Sequence, residues 1–171
     1  IESLLDERDT NYIKTVTALA NAIEASDEYT RGHCDRVGEI ALKIAEKMNL
    51  SESHKENLRF ACIIHDVGKI GISDRILNKP GALTDSEYEI IKKHPQIGYE
   101  IIKEIDFLED PAKIMLQHHE RIDGKGYPLG MIGNDIMIEA KILAVADTYD
   151  SISSARVYRE RIFTDDEIRE E

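Results

Sequence analysis

The sequence holds no tryptophan, three phenylalanines and two cysteines in 171 residues. With so few large aromatics the core falls to Ile, Leu, Val and Ala, a mixture that favours helices. Cys34 and Cys62 form no C-x-x-C pair, which argues against a disulfide scaffold or a cysteine-held metal and fits two packing residues in a reducing compartment. No apolar run approaches the ~20 residues needed to cross a bilayer. The opening IESLLDERDT has neither the basic nor the apolar region of a secretory signal. A soluble, cytoplasmic domain is therefore expected, and the missing initiator Met suggests a piece of a longer chain. Basic charge is also in deficit: a net charge of −12 argues against gripping a polynucleotide backbone. A small phosphorylated ligand in one local pocket stays open.

What is present is apolar periodicity at helical spacing. The length, with 42% apolar and 33% charged residues, fits one globular domain over residues 1–171 with its own core. From Thr10 to Ser26, residues Ile13, Val16, Leu19, Ala20 and Ile23 share one face, and this helix is placed to continue into an upstream region. A second helix is predicted from about Arg31 to Met48, with Asn49 near its end. A third follows a capping box at Ser53-His-Lys-Glu56 and runs to His65-Asp66, where Gly68 and Gly71 break it. Asn78-Lys-Pro-Gly81 reads as a turn and Thr84-Asp-Ser-Glu87 as a second capping box; Pro95 ends or restarts a helix after His94. Asp110-Pro111 offers a cap and a first-turn proline for the helix that delivers His118 and His119, and Ile138 to about Ile152 forms one more. With no alternating strand in view, the expected architecture is an all-α bundle with functional loops at helix ends.

Histidines then stand out by their neighbours. His33, His65, His94, His118 and His119 sit beside acids, glycines or helix ends in apolar surroundings. His65-Asp66 follows the apolar run Phe60-Ala-Cys-Ile-Ile64, and Asp147 lies inside ILAVAD. A carboxylate among core residues is costly unless paired or bound to a cation. Imidazole and carboxylate together suit Fe, Mn, Zn, Co or Ni. Adjacent helical residues point about 100° apart. His65-Asp66 and His118-His119 therefore either span neighbouring ions or converge on one through a distorted helix end, and a two-metal centre is the reading this favours. His54 lies far from these motifs and is left out of the site.

The ordered set His33, His65-Asp66 and Asp147 resembles the H…HD…D signature of the HD superfamily of metal-dependent phosphohydrolases. With HDVGKIGISDRILNKPGALT at 65–84, His94-Pro95 and HHERIDGKGYP at 118–128, the chain resembles the HD-GYP family, whose members hydrolyse cyclic di-GMP. The resemblance implies an HD-like helical bundle holding two divalent ions, iron or manganese. His33, His65, Asp66 and Asp147 would hold the first, and Asp66 would bridge to a second held by His94, His118 and His119. A bridging hydroxide would attack the phosphodiester, giving pGpG or, with a further cleavage, GMP. Lys69 would be the electrophilic partner at the scissile phosphate or its bridging hydroxide, and Tyr127, Arg156 and Arg159 would contact substrate. The GYP loop would form part of the pocket or a docking surface for GGDEF-family cyclases; upstream sensory domains and a homodimer are compatible partners.

Two segments depart from the family pattern. Tyr29 stands where some members carry a glutamate for a third ion, with Glu28 one step out of register. Asp150-Ser-Ile-Ser-Ser154 and Arg156-Val-Tyr158 stand for the usual D-A-L-T-S and R-P-Y. Two other functions are weighed beside the first: a phosphohydrolase of another nucleotide, and a receptor that binds without turnover.

Overall fold

The computed structural model describes residues 14–18, 20, 22 and 32–153. Its helices are α1 (His33–Lys47), α2 (Glu52–Ile64), α3 (Asp74–Leu77), α4 (Asp85–Ile91), α5 (His94–Ile102), α6 (Glu109–Leu116) and α7 (Ile138–Ser153). Among the described residues the only β pairing is one isolated bridge between Asp123 and Ile132. Of the helix expected over 10–26, residues 14–18, 20 and 22 are helical; Ala20 is buried and Val16 packs on the core. Ile13, Leu19 and Ile23 lie outside the described residues.

Local chemistry explains the boundaries. Asn49 takes a left-handed φ of 57°. Its amide reaches Glu46 O and the Leu50 amide reaches Ala45 O, each at 3.0 Å, so the last carbonyls of α1 are satisfied by the paired bonds of a Schellman motif. The chain leaves that motif ready to restart at once. Ser51, not Ser53, therefore caps α2, its side chain accepting from the His54 amide. The Thr84 capping box forms as expected: Thr84 Oγ1 accepts from the Glu87 amide, and Glu87 Oε2 accepts from the Thr84 amide. α6 starts earlier than the Asp110 cap implied. The 3-10 turn Asp106–Leu108 feeds straight into it, Leu108 is the cap residue, and Asp110 and Pro111 lie in the first turn. Proline is tolerated there because that amide has no partner within the helix.

α1 packs on α2 and α7, and α2 packs in turn on α6 and α7. Ala41, Ala45, Ala61, Ala140 and Ala146 are fully buried at these seams, and their small side chains let the axes approach. Larger apolar groups fill the space on either side: Val37, Leu58, Ile114 and Leu143 in one cluster, Phe60, Ile64, Leu108 and Met115 in another.

A second close approach joins the 3-10 turn Val67–Gly71 to α5. A Cβ on Gly68 would stand 1.9 Å from His94 O and 2.5 Å from the Gly98 amide nitrogen. That contact holds the His65-Asp66 corner against the start of α5. Gly68→Ala must separate the two, and overpacking of this kind costs about 1–3 kcal/mol or more. Urea unfolding measures the loss; an unchanged midpoint would refute the contact.

Candidate metal centre

Three histidines share one construction. His65 follows α2, His94 follows the end of α4, and His118 follows α6. In each, ring Nδ1 donates to the carbonyl three residues back: Cys62 at 2.8 Å, Ile91 at 2.9 Å and Met115 at 2.6 Å. Those carbonyls belong to the last turns of helices, where the regular bonding of the helix runs out; Met115 O also accepts from the His118 amide at 3.3 Å. A proton on Nδ1 leaves the lone pair of the neutral ring on Nε2. All three Nε2 atoms are buried without a hydrogen-bond partner. Ring centroids of His65 and of His94 each lie 5.4 Å from that of His118. Converging, unpaired acceptors in a buried interior are costly, and a cation is the partner their chemistry suits.

Asp66 stands between these rings. The helix has ended at Ile64, and Asp66 turns away at φ −100°, ψ 3°. Its Oδ2 lies 3.5 Å from His65 Nε2 and its Oδ1 3.5 Å from His94 Nε2, while Lys69 Nζ lies 2.7 Å from Oδ2. Burial pushes the Asp66 carboxyl up, but the adjoining Lys69 ammonium, with smaller electrostatic help from the His65 and His94 rings, outweighs it and holds the group well below the usual carboxylate range. His33 opens α1 with Nε2 3.1 Å from Asp147 Oδ1, its ring centroid 5.3 Å from that of His65. Asp147 is likewise held low: burial opposes ionisation, and chiefly the hydrogen bond from His33 overcomes it.

His119 completes the group, 3.9 Å from His118 and 5.1 Å from His94 between ring centroids. Burial lowers His94 and, more strongly, His118, and lowers His119 to about 4. These rings are therefore neutral near pH 7, the form that ligates metals. Ligand atoms of His94, His118 and His119 lie within 4.8 Å of one another, as do those of His33, His65 and Asp66. The residues fit a divalent cation in donor type and direction; at His33 the hydrogen bonds to Asp147 and Asp150 overcome burial and raise the ring, so a cation there would displace its Nε2 proton.

The loop after His119 is built on glycine and glutamate. A Cβ on Gly126 would lie 2.3 Å from Arg121 N and 2.4 Å from Glu120 Cα, so only glycine lets the chain fold back here. The Tyr127 amide then donates to His119 O at 3.1 Å, and the Tyr127 ring lies tilted over His119 at 4.8 Å. Burial raises its phenol, which stays neutral. Glu120 is 6% exposed, and its two oxygens accept from the amides of Leu129 at 2.6 Å and Met131 at 2.9 Å. Arg156, Arg159, Glu28 and Tyr29 lie outside the described residues.

Sequence reasoning passed over Asp150 and Arg36. Asp150 is buried one turn beyond Asp147 and accepts from both His33 and Arg36. The signal was the Asp147-x-x-Asp150 spacing, which puts both carboxylates on one helical face. His54 lies against the buried Glu139 and takes no part in the centre.

A helical bundle that turns imidazoles and carboxylates from several helix ends into one interior belongs to the class of domains that hold divalent cations. The chain belongs to the HD domain family, whose model matches residues 17–169. The cyclic di-GMP phosphodiesterase response regulator RpfG of Xanthomonas campestris pv. campestris is 44% identical over 149 residues, covering 86% of this chain and 39% of its own. The 3'3'-cGAMP-specific phosphodiesterase 2 of Vibrio cholerae is 38% identical over 173 residues, covering 100% of this chain and 33% of its own. The chain thus spans well under half the length of these relatives. A crystal structure of a cyclic GMP-AMP specific phosphodiesterase from V. cholerae shares the fold at a TM-score of 0.63 and 20% identity, covering 81% of this chain and 40% of that one. No helix among the described residues is long and apolar enough to cross a membrane.

Glu120 supplies the check on the loop. Glu120→Ala leaves the Leu129 and Met131 amides without their acceptor, at about 1–3 kcal/mol. Hydrogen exchange at those amides should accelerate by roughly tenfold or more, with α1 amides unaffected. Unchanged exchange would remove Glu120 from this role.

Proposed function

We propose that the chain is the phosphodiesterase domain of a cyclic di-GMP hydrolase, opening the ring to linear pGpG, with GMP as the alternative end product. The observation that carries this reading is Asp66, whose two oxygens face His65 and His94 on opposite sides while three buried Nε2 atoms point inward unpaired. On this reading His33, His65, Asp66 and Asp147 would hold one ion, and His94, His118 and His119, together with Asp66, would hold another. Iron or manganese is the assignment. When bound, such a pair supplies an activated water and neutralises charge on the phosphoryl oxygens.

The chain's own residues do the rest. Nδ1 bonds to helix carbonyls keep the rings in one tautomer and one orientation, so nothing need reorganise when substrate arrives. Lys69, 19% exposed at the side chain beside Asp66, offers its ammonium to a non-bridging phosphate oxygen. Tyr127 covers His119 and excludes water from that side. Arg156 and Arg159 are assigned to the substrate phosphates. The family relationship and the RpfG likeness support a cyclic dinucleotide as substrate. The V. cholerae relative favours a second reading, 3'3'-cGAMP as the preferred ring. A cytoplasmic setting, GGDEF-domain or sensory partners and a homodimer belong to the same proposal.

Asp66→Ala should abolish turnover and strip at least one ion, since it removes the bridge; a variant with normal metal content defeats the assignment. Lys69→Ala should keep the ions and lower kcat about 100-fold. Assays of cyclic di-GMP, 3'3'-cGAMP and mononucleotides at matched metal loading separate the substrates. Brisk cleavage of another nucleotide with none of cyclic di-GMP removes the leading reading.

A further inference from the structure

His33 is held differently from the other inward-facing histidines. It begins a helix, with Gly32 as cap, whereas the spare carbonyls that serve His65, His94 and His118 lie at the far ends of helices. Its Nδ1 goes instead to a side chain, Asp150 Oδ2, at 2.7 Å. Asp150 is 3% exposed and is gripped from a second direction by Arg36, with Nε 2.6 Å from Oδ1 and Nη2 3.0 Å from Oδ2.

An ionised carboxylate can only accept, so Nδ1 donates to Asp150 and Nε2 donates to Asp147 Oδ1, 3.1 Å away. A cation beside Asp147 would take the place of the Nε2 proton, while the Nδ1 bond to Asp150 keeps the ring in the same orientation. The arrangement is economical in chain terms. Asp147 and Asp150 stand one turn apart on α7, so a single helical face presents both a candidate ligand and the group that orients its neighbour. Arg36 stands one turn along α1 from His33 and closes the loop between the two helices. On the opposite side of the centre, His94 and His118 take their orientation from backbone carbonyls, which no side-chain replacement at Asp150 reaches.

We infer that Asp150, clamped by Arg36, is a positioning residue that sets the metal affinity of the half-site formed by His33, His65, Asp66 and Asp147, separately from the half-site of His94, His118 and His119. The inference rests on the two-ion reading above. It predicts that the halves come apart thermodynamically when Asp150 changes. Groups that orient a metal-bound imidazole are worth about 10–100-fold in metal affinity.

The test is a calorimetric titration of the metal-free chain with Zn2+ as a diamagnetic probe, paired with NMR of histidine ring nitrogens in the zinc-loaded protein. Asp150→Ala should weaken one zinc-binding event about 10–100-fold and leave the other unchanged. The His33 ring signals should lose their Nδ1–H pattern while those of His94 and His118 stay in place. Asp150→Asn preserves shape, yet it sets an amide donor where three donors converge; it should show the same selective effect at smaller size, and it serves if the alanine variant does not fold. Wild-type affinity in both variants overturns the inference. So does equal weakening of both events with the His94 and His118 signals displaced, the mark of a merely structural contact. A wild-type chain that takes up no zinc sinks the two-ion reading itself, and this inference with it.

Discussion

The centre depends on a hydrogen bond made three times: an imidazole Nδ1–H to a carbonyl in the last turn of the preceding helix. Helix ends carry carbonyls that need donors, and His65, His94 and His118 meet that need while aiming Nε2 the other way. One bond thus finishes a helix and orients a ligand. The negative end of the helix dipole points at the same interior, which favours positive charge there. The three buried lone pairs meet no donor among the described residues, a polar cost that a bound cation would relieve.

Packing exists to hold those helix ends at one depth. Alanines at the seams of α1, α2 and α7 bring the helices close, and Gly68 lets the turn after His65 rest directly on α5 beside His94. Glycine recurs at Gly126, where the loop doubles back on Glu120 and presents Tyr127 to His119. Rigid elements therefore carry most of the centre, and the loop that covers it is tied by a buried carboxylate rather than left to its own preferences.

The helical architecture is legible in the sequence because apolar spacing reports one face of each helix. The seven side chains the structure gathers are legible for a different reason: ionic groups that close apolar runs, as in the step from Ile64 to His65-Asp66, have no bland purpose. Whether each adjacent pair spans or converges is not legible there. It turns on the helix ending at Ile64, which frees Asp66 to face both His65 and His94. Cap positions slipped where competing signals stand close together: Ser51 and Ser53 both qualify, and the bonds that finish α1 decide for the first. Asp150 escaped notice because its meaning lies in His33 and Arg36, on a helix far away in sequence. Long-range pairing of that kind leaves no local periodicity to read.

The central claim is that these seven side chains enclose a pair of divalent cations. Anomalous X-ray diffraction from crystals of anaerobically purified chain tests it most directly. The account predicts two anomalous peaks, one on each side of the Asp66 carboxylate, each ringed by imidazole Nε2 atoms. A metal-replete, active protein whose anomalous signal lies elsewhere would contradict it.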